Sequence, residues 1–239
     1  MRLVRGRADS PAEDRAATAT LLARAGDASE EAFRAWTPHR QVAFGRRDTH
    51  ESGYPAACEA ARERDYAVFE RSVGGRAVAY TGTTVAFAHA VPLEDPRRGL
   101  TERYEAGVDG VVVALHDLGV DAERGEPSAS FCPGDHSVRA VGGGKLAGIA
   151  QRIGSDAAVV AGCVLVDDRS ELVAVLAEVY AALELPFDPA SVATVADVGG
   201  PADPDRVCRA LERAFVGDAS DPRVRVDSVD VLSPPADDA

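Results

Sequence analysis

Gly142-Gly143-Gly144-Lys145-Leu146-Ala147-Gly148-Ile149-Ala150-Gln151-Arg152 is the stretch on which the reading of this chain turns. Three adjacent glycines free a turn for positive φ. With residues 137–141 before it and 145–153 after it, the turn predicts a β-hairpin, extended by a further strand over 157–166. Alternation places Lys145, Ala147, Ile149 and Gln151 on one strand face. The small residues Ala147, Gly148 and Ala150 leave room beside the lysine for a ligand chain. A plain edge hairpin requires neither Gly148 nor Gln151 nor this lysine, which is the single lysine among 26 basic side chains. Arginine keeps its charge everywhere, whereas an ammonium is compact and responds to burial.

Working outward, Asp9-Ser10-Pro11 reads as a helix start, followed by a helix over 12–25. Short strands are expected over 33–36 and 41–44, a helix from Pro55 to about Arg64, then strands over 66–71, 77–80 and 85–91. Tyr104, Val108, Val111, Val112 and Leu115 recur at helical spacing and predict a long helix over 100–118. Residues 119–134 read as a loop, and 170–183 and 204–215 as helices. The order of elements is that of an α+β fold with a mainly antiparallel sheet flanked by helices. A catalytic unit over 1–217 is expected, with 218–239 an acidic Pro/Asp-rich C-terminal tail carrying a short strand within 224–231.

The formal charge is -13, a field that repels nucleic acid and anionic membranes, so neither is expected as a partner. This acidity resembles that of proteins from salt-loving archaea, a halophilic solvent adaptation. Neither a leader nor an apolar run of spanning length is present, so a cytoplasmic location is expected. Cys58, Cys132, Cys163 and Cys208 lack metal-ligand spacing, so no metal site is expected and at most one thiol should carry chemistry.

Two further segments complement the lysine. Arg71-Ser72-Val73-Gly74-Gly75-Arg76-Ala77-Val78 passes between strands through a double glycine. Main-chain N–H groups there are open to close approach, and Arg71 and Arg76 suit an anion. On local pattern alone a tight hairpin is the commoner explanation of adjacent glycines between strands. Ser130-Phe131-Cys132-Pro133-Gly134-Asp135 sets a thiol in the loop that leads to Lys145, where an acyl acceptor is best placed.

Together these segments resemble the lipoate–protein ligase and octanoyltransferase group of the biotin/lipoate ligase superfamily, over roughly residues 16–166. The resemblance implies the class II aminoacyl-tRNA synthetase/biotin ligase-like catalytic domain. It also implies an acyl site made of Arg71, Ser72, Gly74, Gly75, Arg76, Ala77, Gly144, Gly148, Ala150 and Gln151, with Cys132 and Lys145 catalytic. Phe131-Cys132-Pro133-Gly134 is closest to the cysteine-containing octanoyl amidotransferases. The chain departs from the family at Thr81, where a histidine is frequent, and at Ala86-Phe87-Ala88, where Asn-x-Ser is usual; His89 and His136 are candidate substitutes.

The implied activity is transfer of an octanoyl or lipoyl group through a Cys132 thioester to lysines of lipoyl-domain proteins, namely the glycine-cleavage H protein and 2-oxoacid dehydrogenase acyltransferase subunits. That reaction uses no cofactor. The alternatives are a lipoate–protein ligase using ATP and Mg2+, with Arg71, Arg76 and Lys145 on the adenylate phosphate, and a non-catalytic subunit that binds lipoate or lipoyl domains.

Overall fold

The computed structural model describes residues 1–71 and 74–232. In chain order it runs β1 (Arg2–Arg5), α1 (Pro11–Ala28), β2 (Ala32–Trp36), β3 (Gln41–Phe44), α2 (Tyr54–Glu63), β4 (Ala67–Glu70), β5 (Val78–Tyr80) and β6 (Val85–Pro92). It continues with α3 (Leu100–Asp117), β7 (Ala122–Arg124), β8 (Ser137–Ala140), β9 (Lys145–Ile153), β10 (Ala157–Val164), α4 (Arg169–Ala182), α5 (Pro204–Val216) and β11 (Arg225–Ser228).

Local chemistry sets several of these boundaries. The Ser10 hydroxyl accepts from the Glu13 amide and Pro11 opens α1; Asp203 caps α5 in the same way, with Pro204 in its first turn. The long helix expected over 100–118 is α3, and its Val108, Val111 and Leu115 are buried.

Eight strands form one sheet in the order β11-β1-β2-β6-β10-β9-β8-β7, and three form a second in the order β4-β3-β5. The large sheet is antiparallel except where β1 runs parallel to both β2 and β11. On one face Phe33, Phe87, Leu146, Ala147 and Val164 pack with Val108, Val111 and Leu115 of α3 and Val207 and Leu211 of α5. The opposite face is divided. Ala17, Leu21 and Ala25 of α1 cover Ala32, Ala88, Ala90 and Val159, while the small sheet, α2 and α4 close over Cys163 and Leu165.

The differences from expectation have physical causes. β1 is only four residues long with arginine at each end, too short for a period to register, and it exists through pairing with β2 and with β11. The segment after Gly217 thus returns to the sheet edge through β11. β7 lies inside the stretch expected as loop, held by pairing to β8. The double glycine does not close a tight hairpin: β4 and β5 each pair with β3 and not with one another, and residues 74–77 form a crossing segment at the end of β3, where Gly75 meets Gly45. Ser72 and Val73 fall outside the described residues.

Among the described residues, no helix is long and apolar enough to cross a membrane.

Candidate active site

The crossing segment needs its glycines for contact. Gly45 follows β3 directly beneath it, and a Cβ there would stand 2.0 Å from the Gly75 carbonyl oxygen. Gly75 has φ +93, and a Cβ on it would lie 2.9 Å from Cys132 Sγ. Only unbranched backbone lets these three segments meet. Gly74 is exposed, with open space where a side chain would be.

Cys132 sits in the irregular connection between β7 and β8. Its φ is +40, and Ala129 nearby has φ +50; both are costly for residues with a Cβ. What holds them is a set of hydrogen bonds. The Cys132 amide donates to the Tyr180 hydroxyl at 2.5 Å, and that hydroxyl donates to the Ala77 carbonyl at 3.1 Å. From the other side Lys145 Nζ donates to the carbonyls of Phe131 at 3.1 Å and Cys132 at 3.0 Å. It also reaches both Glu126 carboxylate oxygens, at 3.2 and 3.0 Å, and lies 4.9 Å from the Phe131 ring centroid. Lys145 is only 1% exposed, and an ammonium has three protons, so its donors are fully used by this loop.

Cys132 Sγ points the other way, toward the crossing segment. It accepts from the Arg76 amide at 3.3 Å, and Arg71 Nη2 stands 3.9 Å from it. Arg71 also donates to the Arg76 carbonyl. Its Nε is buried with no partner, and among the described residues no carboxylate forms an ion pair with it. Burial opposes the Arg71 charge, yet the facing Cys132, Tyr80 and Cys163 raise its pKa above the ordinary value.

The cations around this cluster are therefore unequal. Arg76 directs its guanidinium to Asp48 at 3.2 Å and Glu51 at 2.6 Å, while Lys145 is matched to Glu126. Arg71 alone of the three carries no carboxylate of its own among the described residues.

A bulge in β9 changes the expected faces. Arg139 pairs with Lys145 but Val138 with Ala147, so the register slips by one at Leu146. Lys145 then shares a side with Gly148, where an added Cβ would meet Lys145 Cε at 3.4 Å, and not with Ile149 and Gln151. The pairing aligns Gly148, Cys163 and Ala86 in one row and Ala150, Ala161 and Ala88 in the next. The departure at Ala86 and Ala88 thus continues these rows with small side chains, Ala88 lying beneath α1.

Gln151 lies on the opposite face, where its Oε1 accepts from Arg103 at 2.6 Å and its Nε2 donates to the Leu100 carbonyl at 3.1 Å. Gly144 is packed on the chain at Val192, 2.6 Å from where its Cβ would be. Ala77 is buried and lends its carbonyl to Tyr180. Thr81 is buried among Thr83 and Thr84. His136 stacks on Tyr104 at 3.7 Å, and His89 faces Glu31 at 3.4 Å; neither contacts Cys132 Sγ. Glu126 and Tyr180, which hold Lys145 and the Cys132 amide, escaped the sequence reading. Cys163 is a core residue of β10, and burial pushes its thiol up to about 11.

A family model described as the lipoyl protein ligase A/B catalytic domain matches residues 10–216. An octanoyl-[GcvH]:protein N-octanoyltransferase of Oceanobacillus iheyensis is 28% identical over 126 residues, 53% of this chain and 44% of that relative; the match spans less than half of the relative's length. Among solved structures, a lipoate-protein ligase A bound with ATP superposes with a TM-score of 0.75 at 20% identity, covering 97% of this chain and 91% of the other. A putative lipoate protein ligase from T. acidophilum with bound lipoic acid gives 0.72 at 21% identity, covering 97% and 92%. These structural likenesses establish a shared fold.

Proposed function

Because the chain belongs to the lipoyl protein ligase A/B catalytic domain family, we propose that it transfers an octanoyl or lipoyl group between lysines of lipoyl-domain proteins through a thioester on Cys132. The observation that carries this reading is the placement of Cys132 Sγ: it meets the Arg76 amide at 3.3 Å across the glycine contact, on a loop fastened by Lys145 and Tyr180. A buried structural thiol needs no such support.

In the first half-reaction the sulfur bonds to the acyl carbon of an octanoyl-lysine amide. The C–N bond breaks, and the thiol proton leaves on the lysine amine. In the second, an acceptor lysine attacks the thioester, the C–S bond breaks, and a proton from the amine returns to sulfur. One amide is exchanged for another, without cofactor, and covalent storage divides one difficult exchange into two easier ones. The small, partly exposed residues Gly148, Ala150 and Ala161 suit the acyl chain, which gains about 0.8 kcal/mol for each buried CH2. Lys145 acts here as a positioning residue through the carbonyls it holds.

The ligase alternative asks Arg71, Arg76 and Lys145 to surround an adenylate phosphate and its Mg2+. Arg76 and Lys145 already spend their charge on Asp48, Glu51 and Glu126, which leaves one cation for a group that needs several. The residues as arranged do not fit that group, and this supports transfer over activation. The O. iheyensis relative, named for octanoyl transfer, supports an H-protein-type donor and a second lipoyl domain as acceptor.

The test is intact-mass detection of an octanoyl adduct after mixing with an octanoylated lipoyl domain, with free octanoate plus ATP in parallel. Transfer predicts an adduct that the Cys132→Ser variant lacks. Full transfer by that variant, or pyrophosphate release dependent on octanoate, overturns the proposal.

A further inference from the structure

Attack by Cys132 places a negative charge on the former carbonyl oxygen, and that charge must meet donors close to sulfur. Lys145 is poorly placed for this. Its three protons go to the Phe131 and Cys132 carbonyls and to Glu126, behind the backbone that carries the thiol. The groups beside Sγ are the Arg76 amide at 3.3 Å and Arg71 Nη2 at 3.9 Å.

Arg71 has the features of a donor held in reserve. Its Nε is buried without a partner, and among the described residues it forms no ion pair. Among the described residues it donates to the Arg76 carbonyl, so the residue whose amide faces the sulfur also aims the guanidinium. A half-buried guanidinium with no carboxylate partner among the described residues gains a full counter-charge only when an oxyanion forms beside it. Such an interaction is stronger in the transition state than in the ground state, the kind that raises turnover and not merely binding. Gly75, with no side chain between sulfur and guanidinium, leaves the space in which that oxygen has to sit.

We propose that Arg71, together with the Arg76 amide, receives the acyl carbonyl oxygen on Cys132 and holds it as the oxyanion in both half-reactions. The assignment rests on the thioester reading above and gives Arg71 a catalytic role distinct from the positioning role of Lys145.

The test compares wild type with Arg71→Met and Arg71→Lys, using p-nitrophenyl octanoate as the acyl donor and iodoacetamide as a second reagent for the same thiol. Alkylation displaces iodide from carbon and forms no oxyanion. The expected result is a fall of ~10²–10³ in the acylation rate of Arg71→Met, partial rescue in Arg71→Lys, and Cys132 alkylation within about threefold of wild type, a margin small beside one lost oxyanion donor. Acylation and alkylation falling together would assign Arg71 a role in holding the thiol and overturn the proposal. Unchanged acylation of Cys132 in Arg71→Met would also overturn it while leaving the thioester reading intact. A wild type that forms no adduct with this ester or with an octanoylated lipoyl domain removes the thioester reading and the inference with it. Should Arg71→Met not fold, the infrared carbonyl band of wild-type enzyme loaded with ¹³C-octanoyl decides: a downward shift from a thioester in water supports the donors, and an unshifted band overturns them.

Discussion

Arg34 and Lys145 are both cut off from solvent, at 0% and 1% exposure, and the neighbours that hold them differ in kind. Arg34 lies on β2 beneath α1. It pairs with Asp14, donates to the Gly6 and Asp14 carbonyls, and stacks 4.0 Å from the Trp36 ring. Burial lowers its pKa, and the hydrogen bond it donates to Asp14 works against that fall. Lys145, on β9, is satisfied by Glu126 and by two carbonyls of an irregular loop. One buried charge ties a helix to the sheet. The other ties down a strained peptide that presents a thiol.

The sharpest way to break this contrast is to remove Asp14. Asp14→Ala strands the Arg34 charge in the interior and should cost about 3–5 kcal/mol, measured by urea unfolding, with acyl-enzyme formation per folded molecule unchanged. A loss of activity without a loss of stability would erase the distinction between the two sites.

Lys145→Met should show the opposite balance. Glu126 keeps 22% side-chain exposure and water can reach it, so the cost is confined to freed loop carbonyls and should be about 1–3 kcal/mol. The acylation rate should fall about 10²-fold, because a small displacement of Cys132 misaligns the attack. If the variant loses as much stability as Asp14→Ala and retains its acylation rate, Lys145 is structural in the same sense as Arg34.

The two sites also differ in how far the chain announces them. Lys145 stands out as the only lysine, after a glycine turn and among small residues, and Cys132 stands beside proline and glycine in a loop. Glu126 does not: it is one of 39 acidic residues and reaches Lys145 across irregular chain, where no period operates. Tyr180 lies on α4 within an apolar pattern, so its hydroxyl contact with Cys132 is tertiary information. The bulge at Leu146 is hidden for a related reason, since strict alternation runs straight through it and sets Lys145 on the side of Gln151. Arg34 is one arginine in an acidic chain, and nothing local marks it as buried.

Cys163 sharpens the comparison from within the site. It faces Gly148 across the β9–β10 pairing and is 4% exposed, and burial pushes its thiol up to about 11. Cys163 should therefore remain a neutral thiol, untouched by iodoacetamide below about pH 9, because the thiolate is the reacting form. Cys163→Ala should cost about 1 kcal/mol and leave the rate of acyl-enzyme formation within about threefold. Peptide mapping that finds the octanoyl group on Cys163 would move the chemistry away from the loop that Lys145 holds.

The smallest effect is the most diagnostic, because stability and activity should part company at one residue. Cys132 has φ +40, a conformation that costs a residue bearing a Cβ about 1–2 kcal/mol. Glycine adopts it freely, but its extra freedom in the unfolded chain returns about 0.5–1 kcal/mol of that gain. Cys132→Gly should therefore be more stable than wild type by about 0.5–1 kcal/mol, with the amide still donating to Tyr180 and the carbonyl still accepting from Lys145. Acyl-enzyme should be absent. A stability gain purchased with complete loss of activity means that the thiol is kept for chemistry against the preference of the backbone. Destabilisation by more than about 1 kcal/mol, the typical cost of an ordinary core substitution, would mean that the side chain belongs to the packing it touches.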